Sequence, residues 1–427
     1  MASLGKVPDS SAVEALSKTV DAALRVIEAV LRLVREAYDD AKTAKAGIAS
    51  AAVSNDPAPS SSTKISDTWV PPTELDVFAL ARDASLLIRA HGTKISLLII
   101  NEPFTPSAIE KVIKELDRVV LSLGTAAQQC YGDRYTYHAR QEMARRCMAV
   151  LEQTRHLLNA IPRDGRVVPE AQRTGGASVS TGSQVQPKAM ADRGSYTKIG
   201  ILWAECDGLV SFCKDGIDGF FSQSVKQLAE QLKDEQEELR EWGDEDGDES
   251  DNDNDDFDQG DVSDSGYDDG EVDPQENDND ATQAMLDALM NTRHIPPDDP
   301  DGLRPRLETV IKKIQLVLLL CRALTKRRLT KPALPTLPLP TPEGNIAARL
   351  DGTIAALQTT VNLFEDLAGA FYKLDVADVD EIMGQCFDAA ASVSRQLSRP
   401  FVSTSGSSSD LFTEWATKFE SEIRAIA

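Results

Sequence analysis

The chain has 427 residues, with 69 acidic and 45 basic side chains and a formal net charge of −24 at neutral pH. That balance argues against direct binding to bare DNA, RNA or anionic lipid, all of which need an accessible basic surface. The surplus is local: residues 244–280 hold 19 Asp or Glu and no Lys or Arg, leaving the other 390 residues with 50 acids against 45 bases.

Apolar residues make up 41% of the chain and aromatics only 5%, so Ala, Leu, Ile and Val do most of the burying, which leans toward helices. The longest apolar runs, such as Leu316 to Cys321, fall short of the ~18 residues that span a bilayer. The opening Met1-Ala2-Ser3-Leu4-Gly5-Lys6 lacks a signal-peptide core, and Gly is not at position 2 for myristoylation. Six cysteines without CxxC spacing read as reduced intracellular thiols. The expectation is a soluble protein of the cytoplasm and nucleus, with no membrane or direct nucleic-acid partner.

Apolar residues recur at alternating three- and four-residue steps, the period of amphipathic helices. The first stretch, about 10–53, carries Val13, Leu16, Val20, Leu24, Ile27, Leu31 and Val34; a Pro/Ser break at 56–60 follows. The second, about 73–101, carries Leu75, Phe78, Leu86, Leu87 and Ile95 to Ile100. Thr105 as N-cap and Pro106 at the first helical position restart the chain in a third helix with Ile109, Ile113, Leu116, Val120 and Leu123. A fourth holds Met143, Cys147, Val150, Leu157 and Ile161. Residues 163–195 read as a flexible linker. The fifth stretch, about 196–241, shows Leu202, Cys206, Leu209, Cys213, Ile217 and Phe220, with Gly200, Gly208, Gly216 and Gly219 marking close packing or a bend.

Beyond the acidic tract come a short amphipathic piece (Met285, Leu286, Leu289) and a helix at about 306–329. Its Leu316–Cys321 run reads as the centre of a bundle, so Leu318→Ala is expected to cost about 2–5 kcal/mol. Lys326, Arg327 and Arg328 suit a helix C-terminus. The Pro332–Pro342 run cannot be helical and reads as a stiff extended connector. Two helices follow, through Ile346 to Phe371 and Val379 to Leu397, and Asp410 caps a last one holding Leu411, Trp415, Phe419 and Ile423. Trp203 and Trp415 fall on apolar faces and are assigned to the core, whereas Trp242 closes a helix end. The fold expected is all-α: two up-and-down helical bundles joined by a disordered acidic segment. Residues 1–242 form an N-terminal five-helix bundle, 243–280 the tract, and 281–427 a C-terminal helical bundle with a proline-rich loop at 332–342.

No catalytic constellation can be assembled. His91, His138, His156 and His294 do not pair at metal-ligand spacing, and HExxH, GxSxG, phosphate-loop and dinucleotide motifs are missing from the sequence. The reading is non-enzymatic, with no cofactor, metal or catalytic residue. Asp261, Ser263, Ser265, Gly266 and Asp269 imitate part of a calcium loop, but Val272 occupies the position of the bidentate Glu. The candidate partner-binding residues are acidic: Asp244, Glu245, Asp246, Asp248, Glu249, Asp251, Asp253, Asp255, Asp256 and Asp258. Such a run attracts basic partners or serves only as a solvated spacer. Ser250 and Ser265, each with Asp three residues on, are candidate phosphosites for acidophilic kinases.

The Ala81-Arg82-Asp83-Ala84-Ser85 to Ile100 helix, the Pro103/Pro106 corner, Trp203, the acidic insertion, and Phe364-Glu365-Asp366-Leu367 near Tyr372 follow one another in the chain. This order of features resembles the cyclin-D-binding protein family, described as helix–loop–helix proteins without a basic DNA-reading region. It implies an interaction regulator in cell-cycle or transcription control, binding a cyclin or a helix–loop–helix factor. Two alternatives stand beside it: a chaperone of basic proteins acting through the acidic tract, and a helical-bundle scaffold of the vinculin and catenin type.

Overall fold

A computed structural model describes residues 10–54, 75–173, 195–244, 294–296, 298–329, 334, 339, 346–401 and 410–425. The fold is all-α, and no strand occurs among the described residues. The elements are α1 (Ser10–Ser54), α2 (Val77–Ile100), α3 (Pro106–Gln129), the single turn α4 (Gly132–Tyr135), α5 (Tyr137–Asn159), the single turn α6 (Glu170–Arg173) and α7 (Ser195–Asp244). Then come α8 (Leu303–Arg327), α9 (Ile346–Lys373), α10 (Val376–Ser398) and α11 (Leu411–Arg424). The acidic tract beyond Asp244, the amphipathic piece at 285–289 and most of 332–342 lie outside the described residues.

By contacts the chain divides into two compact units: residues 1–226 with 323–357 and 395–414, and residues 227–322 with 358–394 and 415–427. Each unit therefore draws on chain from both sides of the acidic tract.

In the first unit α1 packs on α3 and α5, and α2 packs on α3. The buried seam of α1 is Leu16, Val20, Ala23, Ile27, Val30, Val34, Ala37 and Ala41, an unbroken alternation of four- and three-residue steps. It differs from the sequence reading, which placed Leu24 inside; Ala23 is the buried residue and Leu24 is half-exposed. Small residues at the seam bring the helices close. A Cβ on Gly124 of α3 would sit 2.6 Å from Val30 Cγ1, so that position has no room for a side chain.

Residues 163–173 depart from the linker reading. Arg163 Nη1 lies 2.8 Å from Asp21 Oδ1, Val168 N donates to Ile99 O at 2.8 Å, and Val168 is buried. The rest of that stretch, 174–194, lies outside the described residues. Leu339, within the proline run, is also buried and exchanges two hydrogen bonds with Arg134: Leu339 N to Arg134 O at 2.8 Å and Arg134 Nε to Leu339 O at 2.9 Å.

The second unit is cored by Leu232, Leu239, Trp242, Val310, Ile314, Val317, Phe364, Phe371, Cys386 and Phe419. Trp242 is buried against Phe371 and Tyr372, whereas Trp203 and Trp415 are only half-buried, the reverse of the sequence assignment. The Leu316–Cys321 run is not buried on all sides either. Val317, Leu320 and Cys321 face inward, Leu318 is half-buried and Leu319 is 46% exposed. A continuous apolar run carries no periodicity, so the face it buries is settled only by packing. Lys313, almost fully buried, donates from Nζ to Glu422 O and Ala425 O, both at 2.5 Å, closing the C-terminus of α11.

Candidate functional site

Three places in the first unit concentrate polar or exposed apolar groups in a way the core does not require. The first is the start of α5. Thr136 has φ 71°, a left-handed backbone that costs a β-branched residue about 1–3 kcal/mol. It is held there because its Oγ1 accepts from Ala139 N at 3.1 Å, capping α5. The next two backbone donors, Tyr137 N at 2.7 Å and His138 N at 3.1 Å, are taken by the carboxylate of Asp351 on α9. The same carboxylate meets His138 Nδ1 at 2.6 Å and is fully buried. A buried anion is tolerable here because a helix N-terminus supplies unpaired N–H groups and a favourable dipole. Lys45 on α1 donates to Gln141 Oε1 at 2.7 Å, and burial pulls its ammonium down while Asp351 and Glu142 oppose that effect.

This cluster resembles the carboxylate–histidine half of a hydrolytic triad. A nucleophile would complete it, but among the described residues no Ser, Thr or Cys hydrogen-bonds to the His138 ring. The cysteines of this unit are poor nucleophiles as well. Burial pushes the Cys206 and Cys213 thiols up to about 12 and raises Cys130 and Cys147 too, the opposite of what thiolate chemistry needs. The chemistry that the geometry performs is positioning: it ties α9 to the start of α5.

The second place is Arg328, one of the three residues read from sequence as a basic helix C-terminus. It is buried. Its Nε donates to Leu397 O at 3.0 Å and its Nη2 to Ser398 O at 3.4 Å, closing the C-terminus of α10. Both guanidinium nitrogens Nη1 and Nη2 also reach Asp410, which accepts from Thr413 N at 2.9 Å and so caps α11 as the sequence predicts. The guanidinium lies 4.4 Å from the centre of the Phe412 ring. Arg328 holds the Asp410 carboxyl well below the usual carboxylate range, helped by Thr413.

The third place is the outer face of α2. Leu86, Ala90, Thr93 and Leu97 follow one another at steps of four, three and four, which aligns them as one ridge. Leu86 and Leu97 are 45% and 51% exposed, and Leu87 at the edge is exposed as well. The opposite edge is built by α7: Trp203 Nε1 donates to Thr93 Oγ1 at 3.0 Å, and Arg89 lies 5.5 Å from the centre of the Trp203 ring. Arg89 Nε is in turn 3.3 Å from Asp207 Oδ1. The hydrogen-bonded indole, with the guanidinium over its ring, lies beside an apolar strip. Trp and Arg at the margin of exposed Leu residues are the composition of interface hot spots.

Of the residues singled out in the sequence, Asp244 is described, exposed at the end of α7. Glu245, Asp246, Asp248, Glu249, Asp251, Asp253, Asp255, Asp256, Asp258, Ser250 and Ser265 lie outside the described residues. The α7 glycines divide. Gly216, with φ 69° and ψ −168°, breaks the helix with a kink, and a Cβ on Gly208 would come 3.1 Å from Arg146 Nη1, which donates to Gly208 O. Around Gly200 nothing lies within 4 Å of such a Cβ, so close packing does not explain it. The sequence reading missed Asp351 and the α2 ridge. A lone Asp in an apolar repeat was the only trace of the first, and Leu87 beside Leu86 was masked by counting both as core.

Among the described residues no three His, Cys, Asp or Glu gather to hold a metal ion, and no helix is long and apolar enough to cross a membrane. No protein-family model and no curated protein matches the chain.

Proposed function

We propose that the chain is a non-enzymatic interaction protein that recognises a partner protein through the outer face of α2. The observation that carries this reading is the Leu86–Leu97 ridge with Trp203 and Arg89 set along its edge. Exposed leucines cost solvation without helping the fold, while a rigid Trp–Arg margin gives a partner helix both apolar area and orientation. The non-enzymatic part is supported by the saturated Asp351 carboxylate and the raised thiols. Following the sequence resemblance, the partner is a D-type cyclin or a helix–loop–helix factor, met in the nucleus or cytoplasm, with the acidic tract steering encounter.

The test is titration of the full chain with each of those two partner classes, using wild type and the Leu86→Asp/Leu97→Asp double variant. The reading expects at least a tenfold loss of affinity, about 1.4 kcal/mol, with unchanged melting. Equal affinity for both forms removes the ridge from the mechanism. Binding to neither class by wild type removes the named partners and leaves the ridge to be tested by other means. Deleting 244–280 is expected to slow association at low salt and leave the salt-insensitive part of the affinity intact.

A further inference from the structure

The end of α7 buries one face. Leu228, Leu232, Gln236, Leu239 and Trp242 follow at steps of four, four, three and three, and all five are buried. They lie in the second unit, whose other described residues outside α7 all stand at position 294 or beyond. Within that unit, the cover for this face therefore comes from the far side of the acidic tract. Gln236 Nε2 donates to Ile311 O on α8 at 2.7 Å, Trp242 meets the Phe371 and Tyr372 rings of α9, and the Tyr372 hydroxyl donates to Glu238 Oε1 at 2.9 Å. Gly243 has no room for a Cβ against Leu307 of α8, and its carbonyl accepts from Arg304 Nη1 at 3.1 Å.

The exchange runs the other way in the first unit. There the start of α9, from beyond the tract, docks on the N-terminal half: the buried Asp351 carboxylate accepts from Tyr137 N and His138 N. Upstream of it, Leu339 is 1% exposed and pairs with Arg134 through Leu339 N to Arg134 O and Arg134 Nε to Leu339 O. Each half of the chain thus supplies a segment that completes packing on the other. None of these contacts draws on residues 245–293.

We propose that the two halves of the chain hold each other by noncovalent contact, so that the fold survives a break anywhere between Asp244 and His294. The acidic tract is then a detachable element, and its loss by cleavage leaves a two-chain protein with both units intact. Apolar burial and buried hydrogen bonds act between side chains whether or not the backbone joins them. Continuity of the chain adds effective concentration, and that is what a break gives up. Two bundles that each closed on their own half of the sequence would behave in the opposite way, since one cut would set two domains free. Cleavage would also strip the folded part of its acidic surplus while the α2 ridge stays. That consequence for recognition rests on the proposed function; the interlock of the halves does not.

The experiment breaks only continuity. Residues 1–250 and 281–427, which together contain every described residue, are co-expressed, the first tagged and the second untagged, and compared with the unbroken chain. The second piece is expected to co-purify with the first in equal amount and to elute with it as a single species at about 1 μM. Melting of the pair should move to higher temperature as protein concentration rises, whereas melting of the unbroken chain should not. Trp242→Ala in the first piece combined with Asp351→Ala in the second should reduce recovery of the second piece by about tenfold or more. Lys312→Ala, at an exposed position of α8, should leave recovery unchanged. Pieces that fail to co-purify, that separate at about 1 μM, or that melt independently of concentration overturn the proposal. So does recovery that the Trp242/Asp351 double variant leaves untouched, or that Lys312→Ala lowers equally, because association would then belong to other surfaces.

Discussion

The start of α5 and the outer face of α2 invert the usual placing of polar and apolar groups. At the first, a fully buried carboxylate, Asp351, is surrounded by donors: two backbone N–H groups and the His138 ring. At the second, two leucines about half-exposed stand in water beside a hydrogen-bonded tryptophan. The difference separates structure from recognition. Asp351 has its partners inside the molecule, so its removal should be felt in folding. Among the described residues nothing covers the exposed Leu86 and Leu97 side chains, so their removal should be felt in binding.

The first way to break the contrast is Asp351→Ala. It leaves Tyr137 N, His138 N and the His138 ring without their acceptor and should cost about 3–5 kcal/mol in a denaturant titration. A loss under about 1 kcal/mol would mean water replaces the carboxylate and the cluster is not a lock. Arg328→Ala comes next. It opens the carbonyl end of α10 and strips the Asp410 cap of its cation, an expected loss of about 2–3 kcal/mol. The Asp410 carboxyl is held below its usual range, so this contribution is present above the ordinary carboxylate pKa and disappears as the pH falls through the depressed one. The gap between wild type and Arg328→Ala should therefore narrow in strong acid to what the bonds to Leu397 O and Ser398 O supply.

In the second unit, Leu318→Ala is expected to cost about 1 kcal/mol, below the range that full burial would imply, because the side chain is half-buried. A loss above about 3 kcal/mol would restore the central-helix reading. A pH effect of opposite sign to that of Asp410 belongs to Glu235. Burial, then Glu238 and Glu365, push its carboxyl up to about 7. A raised carboxylate favours folding most at low pH, fully below the ordinary value of 4.5, and that support is lost as pH rises through about 7. The contribution of Glu235 to the melting midpoint should fall between about pH 4.5 and about pH 7, and Glu235→Gln should flatten the curve there. Smallest of all is the ridge: Leu86→Asp/Leu97→Asp should move stability by less than about 0.5 kcal/mol.

Much of the fold was legible because helices announce themselves by period. Pro106 after Thr105, the Asp410 cap and the long apolar repeats all map onto observed helix ends and faces. What the pattern did not reveal is where tertiary partners decide. The one-residue difference between Leu24 and Ala23, the inward turn of Trp242 and the outward turn of Leu319 depend on which neighbour each helix meets. The site was less legible. Asp351 is separated by 213 residues from its partner His138, a pairing no local motif encodes. Arg328 looked like one of three equivalent basic residues, and only the meeting of α10 and α11 ends distinguishes it. The ridge failed to stand out because leucine at helical spacing is the signature of a core.

Photo-crosslinking in cells probes that ridge without presupposing the partner. A benzophenone amino acid is placed at Leu86, at Leu97 or, as a control, at the exposed Lys312 of α8. Discrete protein adducts at both α2 positions and none at Lys312 are the predicted result. Adducts no more abundant at Leu86 and Leu97 than at Lys312 would contradict recognition through α2.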